Sequence, residues 1–527
     1  MNLRRSRLAA GIAVPVALAL AGGLTGAPGA TASTTAATFA NFEPAGLKST
    51  LLYTGGGRVG TTCPNTTAGQ CYNLAGEPQI RAAGDGSFYA SSENGLGAGT
   101  EAWKSTDGGR HYTTLMSPND ASTGPAKNDT GFAPGGGDTD LAVSDDKNSN
   151  GFYNVYVASL SLANIDVSTS TDGGKTFKLN PVGAEVPGDD REWIAADDSH
   201  QGPLSLPVEG GDKVCVSYHD LATANIEVNC SYAPTVAGSF AQVGDAIDAA
   251  HAYTINNNMI GNLAIARDTV EGDNTAGNHN IYQVFSGPAN AAGLTACGAT
   301  AACLNTVYIG VSTNGGLTFK DYTVYQNPNV HVSYGHQFVN VSVDRKGNVY
   351  TLYSDNHSLF YSYSTTQGKT WSPRVKVNTS PSNTAIEPWS VAGNNGALDV
   401  VWYGTSATGN PENQPSTTTW HVYFAQNLHA TTPGSTFAQV AASPVNHHGG
   451  VCESGIACTG NRDLLDDFGV AASPTTGLAS IVYTDDQLRA GDPNNQNSPI
   501  CKVGDNNTSN CEHTAFATQL TGGRIYP

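Results

Sequence analysis

Positive charge is scarce in this chain. Lysine and arginine together number 25 against 44 aspartates and glutamates in 527 residues, and charged residues of both signs make up only 13%. A net charge of -19 argues against a nucleic-acid partner, because phosphate backbones are held by basic patches, and against an anionic membrane surface. Long apolar runs are missing beyond the first 24 residues, so no membrane insertion is expected. No C-x-x-C pair occurs and no histidines flank the cysteines at ligand spacing, which speaks against zinc. G-x-S-x-G and H-E-x-x-H are also absent, and a peptidase is set aside.

What is present first is an export signal. Arg4, Arg5 and Arg7 precede an apolar run from Leu8 to Leu24, and small residues follow to Ala30-Thr31-Ala32. That order predicts a secretory signal over residues 1–32, with a weak hint of twin-arginine export. The product is expected outside the cell, as a monomer. The ten cysteines fall into sequential close pairs: Cys63 with Cys71, Cys215 with Cys230, Cys297 with Cys303, Cys452 with Cys458, and Cys501 with Cys511. Each is expected to staple a local loop or hairpin in an oxidising compartment.

Glycine is abundant, at 61 residues, and much of it is ordered. STDGGRHY from Ser105, STDGGKTF from Ser170, STNGGLTF from Ser312 and STTQGKTW from Ser364 align without gaps. Asp or Asn suits capping of backbone N–H groups in a tight turn, Gly takes a positive φ, and the aromatic opens the next strand. Weaker echoes occur at ATTPGSTF from Ala430 and SYAPTVAGSF from Ser231. The pattern resembles the Asp-box, or bacterial neuraminidase repeat, of sialidases and related β-propellers. His111 replaces the Thr of the first copy, Asn314 the Asp of the third, and Thr366 the Asp of the fourth.

Around the boxes an apolar strand, a turn and a Tyr- or Val-rich strand recur. Seven such openings begin near Gln79, Asp140, Glu192, Asn262, Phe338, Pro388 and Phe468. This spacing predicts an all-β propeller of four-stranded antiparallel blades. Seven blades follow from the module count; six is the alternative that the resemblance implies. Residues 61–527 are expected to form the single propeller domain, with residues 33–60 supplying a strand that closes the last sheet.

In such blades the boxes occupy one face, and function is sought on the other, at the residues that open the inner strands. These include Glu77, Arg81, Asp138, Asp140, Asp190, Arg191, Glu192, His336, Gln337, Glu387, Arg462, Asp463, Asp466 and Asp467. Second-strand ends add Tyr218, His219, Asp220, Asp355, His357, Tyr403, Tyr483, Asp485 and Asp486. Arg81, Arg191 and Arg462 open different blades and are candidates to converge on a carboxylate, with Glu192 and His336 beside them as substrate-binding groups. The resemblance implies an arginine triad, a Tyr/Glu nucleophile pair and an Asp acid/base, as in sialidases, whose Tyr nucleophile is an exception among glycosidases. The corresponding candidates are Tyr403 or Tyr483 with Glu387, and Asp138 or Asp140 as the acid. The family's early Arg-Ile-Pro motif is missing, and IRAA at Ile80 only approximates it.

DKNSNG at Asp146 to Gly151 fits the oxygen-rich half of a calcium loop through Asp146, Asn148 and Asn150. An Asn-rich turn is the other reading, Val157 stands where an EF-hand needs Glu, and EGDNTAGNHN from Glu271 is a weaker echo. Calcium is thus expected at most as a structural ion, and the chemistry requires no cofactor. Two functions remain: a secreted sialidase-like glycoside hydrolase acting on terminal acidic sugars of glycans, or a non-catalytic propeller binding a polysaccharide or a protein.

Overall fold

The computed structural model describes residues 36–44, 75–95, 99–119, 135–161, 164–181, 188–198, 212–220, 222–234, 236, 238–266, 279–297, 304–336, 338–455, 458, 460–487 and 512–527. The export signal, Cys63, Cys71, Cys303, Cys501, Cys511, Gln337 and most of EGDNTAGNHN lie outside them. Strand β1 (Thr38–Phe42) comes first and belongs to the last blade.

The first blade is β2 (Gly76–Ala82), β3 (Phe88–Glu93), β4 (Glu101–Ser105) and β5 (Thr113–Thr114). The second is β6 (Thr139–Lys147), β7 (Tyr153–Leu160), β8 (Ile165–Ser170) and β9 (Lys178–Pro181). The third is β10 (Asp189–Asp198), β11 (Asp212–Asp220), β12 (Ile226–Ser231) and β13 (Gln242–Asp245). The fourth is β14 (Met259–Ile265), β15 (Ile281–Gly287), β16 (Thr306–Ser312) and β17 (Lys320–Gln326). The fifth is β18 (Asn340–Val343), β19 (Val349–Ser354), β20 (Leu359–Ser364) and β21 (Val375–Lys376). The sixth is β22 (Thr384–Ala392), β23 (Leu398–Thr405), β24 (Thr419–Asn427) and β25 (Ala438–Ala441), with β26 (His447–His448) added beside β24. The seventh runs β27 (Gly469–Ala472), β28 (Ala479–Asp485), β29 (His513–Thr521) and then β1. Among the described residues one short α-helix, α1 (Ala291–Cys297), interrupts the strands. Among the described residues no helix is long and apolar enough to cross a membrane.

All seven sheets are antiparallel meanders, and their first strands touch in sequence around a ring that closes where β27 meets β2. The chain is therefore a seven-bladed β-propeller, and the six-blade alternative is not realised. Apolar clusters fill the spaces between neighbouring blades: Ile80, Trp103, Val482 and Phe516 join the first to the seventh, and Tyr156, Val167, Ile194 and Val216 join the second to the third. Both faces of each blade are thus buried, which is why the central strands read as nearly continuous apolar runs. Disulfides join Cys215 to Cys230, across the β11–β12 register, and Cys452 to Cys458.

Every box joins a third strand to a fourth. In STDGGKTF, Ser170 Oγ accepts from Gly174 N–H at 2.8 Å, and Asp172 Oδ1 accepts from the N–H groups of Lys175 and Thr176 at 3.0 and 2.9 Å. The departures elsewhere keep an oxygen in the same place: Asn314 Oδ1 accepts from Thr318 N–H at 3.0 Å and Thr366 Oγ1 from Thr370 N–H at 3.0 Å. The second glycine does more than turn the chain. At Gly174 (φ 91°) and Gly316 (φ 96°) a Cβ would fall 2.7 Å from Leu115 and 2.9 Å from the Cys230 sulfur. Those residues belong to the preceding blade, so the box is also a blade-to-blade contact.

Ser170→Ala leaves the buried Gly174 N–H without its acceptor. We expect a loss of about 1–3 kcal/mol, read as a lower urea midpoint, with the exposed Thr171→Ala unchanged as the control.

Candidate functional site

The inner strands do not begin as regular ladders. Pairing skips two residues between Gly76 and Gln79, between Asp190 and Trp193, between Ile260 and Leu263, and between Ile386 and Trp389. In three of these bulges a charged residue holds a positive φ: Glu77 at 46°, Arg191 at 53° and Glu387 at 50°. Left-handed backbone at a non-glycine residue is costly, and bulges commonly re-aim side chains beside functional sites. All three side chains are buried at the end of the axial channel where the inner strands begin.

Arg191 is the hub. Its Nη1 lies 3.0 Å from Glu77 Oε2 and 3.6 Å from Asp138 Oδ2, and its Nη2 pairs with Asp467. The guanidinium also lies over the rings of Trp193 and Phe338, 4.2 and 4.6 Å from their centroids. Burial alone would lower its pKa, but the charges of Asp467, Asp138 and Glu77 outweigh burial and drive it upward. Arg462 stands nearer solvent, 2.6 Å from Asp466 Oδ2 and 3.5 Å from Glu77 Oε1.

The expected triad of arginines is not assembled. Arg191 and Arg462 meet on Glu77, but Arg81 points elsewhere: its Nη2 donates to Asp140 at 2.7 Å and its guanidinium lies over Trp389. Trp193 packs on Trp389 and Phe338 at 5.0 and 5.3 Å, forming an aromatic plug in the channel. Arg81 lines the cavity of about 520 Å³ on the box side of that plug, with residues from all seven inner strands. Position along the strand accounts for this, since Arg81 lies beyond the bulge that aims Glu77.

Two catalytic candidates are likewise structural. Asp140 accepts from Arg81 and from the N–H groups of Leu141 and Ile194 at 2.8 and 3.0 Å, pinning the first three blades together. Tyr483 donates to Asn41 Oδ1 at 3.0 Å, toward β1 and away from the axis. Tyr403 does lie by Glu387, but its hydroxyl accepts from Thr484 N–H at 2.9 Å. Burial and then the neighbouring Glu387 push its pKa well upward, the wrong direction for a phenolate nucleophile. Asp138 remains at the mouth, its side chain 17% exposed.

Carboxyl groups dominate the mouth. Glu387 is buried with neither oxygen hydrogen-bonded. Burial raises its pKa well above the usual range, and Asp466, Glu453 and Asp467 add to the effect against Arg462. Glu192 is fully buried, both oxygens also unbonded, and raised by burial and then by Asp138. Glu93 and Glu453, which sequence reasoning missed, are each pushed up to about 8, chiefly by burial. Glu93 is the last residue of β3, so its place at a second-strand end was the available signal; Glu453 sits in a long loop beside Cys452 and carried none. His336, 3.9 Å from Glu453, is lowered by burial and so favours its neutral form.

The calcium-loop candidates lie on the box face, Asp146 near the end of β6 and Asn148 and Asn150 in the turn that leads to β7. Asn148 Oδ1 accepts from the N–H groups of Asn150 and Phe152 at 2.9 and 3.3 Å, and its Nδ2 donates to Thr171 O. Asp146 and Asn150 are exposed. This is an Asx turn whose central oxygen already serves the backbone.

No protein-family model matches the chain, and no curated protein does. Among solved structures it is similar to an alpha-L-arabinofuranosidase of Fusarium graminearum, at 13% identity over 70% of this chain and 93% of that one, with a TM-score of 0.41. It is also similar to a xyloglucanase of Xanthomonas campestris, at 13% identity over 80% of this chain and 54% of that one, with a TM-score of 0.45. An intramolecular trans-sialidase of Ruminococcus gnavus shares 11% identity over 84% of this chain and 94% of that one, with a TM-score of 0.35. Likenesses this distant do not bear on the reading of the site.

A pH dependence follows from the mouth. Glu93 and Glu453 hold protons when folded that the unfolded chain releases near its ordinary value of 4.5. Their stabilising contribution is therefore complete below that value and lost as the pH rises through about 8. In the presence of chelator, the urea midpoint should fall from about pH 5 to about pH 8.5. Glu93→Gln combined with Glu453→Gln should flatten that slope; an unchanged slope would place the titrating groups elsewhere.

Proposed function

We propose that this propeller is a secreted glycoside hydrolase whose centre is the part of the mouth formed by the sixth and seventh blades. The observation that carries this reading is a pair of neighbouring carboxyl groups in contrasting surroundings. Glu387 is buried without a hydrogen-bond partner, and burial favours its protonated form. Asp466 reaches the mouth paired with Arg462 at 2.6 Å. Such contrasting pairs divide the work of glycoside cleavage: the neutral acid protonates the departing oxygen, and the carboxylate stabilises or captures the positive charge that develops on the sugar.

In this reading Glu387 is the acid, Asp466 the carboxylate, and Arg462 holds Asp466 in place. Glu453 and His336 flank them and are suited to binding sugar hydroxyls. The balance of charge supports a sugar without an acidic group in preference to the terminal acidic sugar that the Asp-box resemblance implies. Arg191 is already engaged by three carboxylates and Arg462 by two. An incoming carboxylate would meet a surplus of negative charge. Secretion rests on the export signal expected over residues 1–32 and accords with the two disulfides found among the described residues.

The purified chain, assayed against neutral chromogenic glycosides and a sialoside in parallel, should cleave a neutral substrate. Glu387→Gln should lower kcat by about 10²- to 10⁴-fold with the fold retained by circular dichroism. Preferential cleavage of the sialoside would instead restore the acidic-sugar reading, whereas retention on a polysaccharide matrix without cleavage would favour a binding propeller.

A further inference from the structure

Glu453, Arg462 and Asp466, assigned above to the sugar and its cleavage, ride on one stretch of chain that leaves β26 at His447 and His448. His447 and Asp486 are 0% exposed, and Asp463 is 1% exposed. Where the sixth blade meets the seventh, His447 Nδ1 lies 2.7 Å from Asp486 Oδ2 and its Nε2 lies 3.0 Å from Gly450 O. Asp486 N–H donates in turn to Asn446 O at 3.1 Å.

Both partners of the ring are acceptors. A backbone carbonyl has no proton to give, and both oxygens of Asp486 are used as acceptors, since Gln487 Nε2 donates to Oδ1. A neutral imidazole carries one N–H and would leave one of these buried contacts unmade, so the geometry requires the imidazolium. A second carboxyl gathers at the same point: an oxygen of Asp463, an oxygen of Asp486 and a ring nitrogen of His447 lie within 4.8 Å of one another. Asp463 adjoins Arg462, and Gly450 lies shortly before Glu453. The ring therefore meets both ends of the stretch. Among the charges around it, Glu512, ahead of β29, acts on Asp463 and Asp486, with Arg462 opposing it. Glu412 meets Gly450 through its backbone carbonyl, and its Oε1 accepts from Glu453 N–H at 3.4 Å. Asp485 groups instead with Glu43 and His513, and His448 follows on β26, where successive side chains alternate in direction.

We propose that His447, as a buried imidazolium, is a positioning residue of the mouth: it ties Gly450 and Asp463 to Asp486 of the seventh blade, and its deprotonation releases the stretch that presents Glu453, Arg462 and Asp466. The role of those three groups rests on the hydrolase reading, whereas the state of the ring is read on the protein alone. Burial by itself would lower the pKa of His447, but the hydrogen bond to Asp486 and its charge outweigh burial, Gly450 O and Asp463 add to them, and the group is held above its ordinary 6.5. Its stabilising contribution is full below that ordinary value and is lost as the pH rises through the raised folded value.

The test uses the full chain, isotope-labelled at the histidine ring nitrogens, with the His447 signals in the NMR spectrum assigned by their loss in His447→Gln. At about pH 7, where an ordinary histidine is mostly neutral, both nitrogens of His447 should carry protons. Hydrogen exchange, corrected for its intrinsic base-catalysed rate, then follows the amides of Cys452 and Leu465, which donate to Asn461 O at 2.8 Å and Arg462 O at 3.0 Å. Both should exchange about tenfold faster or more once the ring has lost its proton at high pH. Glu453→Gln should keep that rise, which separates it from the titration of Glu453 on the same stretch, whereas His447→Gln should exchange fast at every pH. If His447→Gln fails to fold, Asp486→Asn should make the ring titrate at a lower pH than in the native chain. A chain that cleaves a glycoside should lose kcat over the same pH range; one that cleaves none yet shows the ring titration and the exchange would lose the hydrolase reading alone. A singly protonated ring at about pH 7, or exchange in the stretch that does not follow the titration of His447, would overturn the proposal.

Discussion

Arg191 supplies the contact on which the axis depends. It starts in the third blade and reaches Glu77 of the first, Asp138 ahead of the second and Asp467 ahead of the seventh, so a single guanidinium ties together four of seven blades. It also rests on Trp193 and Phe338, which seal the channel beneath it. A buried charge is stable only when paired and hydrogen-bonded. Each partner of Arg191 is itself a buried or nearly buried acid, so the axis is a network in which removal of any one member leaves another uncompensated.

That network separates two regions of different chemistry. On one side of the aromatic plug lies a mouth rich in carboxyl groups; on the other, a cavity reached by Arg81. The buried acids of the mouth favour their protonated forms because burial and mutual repulsion act in the same direction. Low positive charge across the chain, seen first as a bulk property, is concentrated here into a local deficit of counter-ions.

The architecture was legible because it repeats. Four boxes recur with their residues at fixed offsets because the same hydrogen bonds close each of those turns, seven strand openings recur beside them, and the departures at Asn314 and Thr366 preserve the oxygen that matters. The site was only partly legible. Glu77, Arg191 and Glu387 stand out as openers of inner strands, but the bulges that aim them leave no mark in hydrophobic periodicity. Arg81 is four residues from Glu77, and only the structure shows that the plug divides them. Tyr403 and Tyr483 occupy equivalent places near the ends of second strands; one contacts Thr484 and the other Asn41 of β1. The sequence motif DKNSNG matched an ion loop by residue type, yet an Asx turn uses the same residues.

The seventh blade has a consequence for how the ring can come apart. Strand β29 lies between β28 and β1, and the Thr38–Thr521 contact spans 483 residues of chain. Until β29 is seated, β28 and β1 each present an unpaired edge toward the vacant position between them. Such edges recruit other strands, and closing so long a loop gains nothing until the final pairing is made. Partial opening at this blade therefore exposes sticky edges without yielding a stable smaller propeller, which favours a ring that is either closed or lost to aggregation.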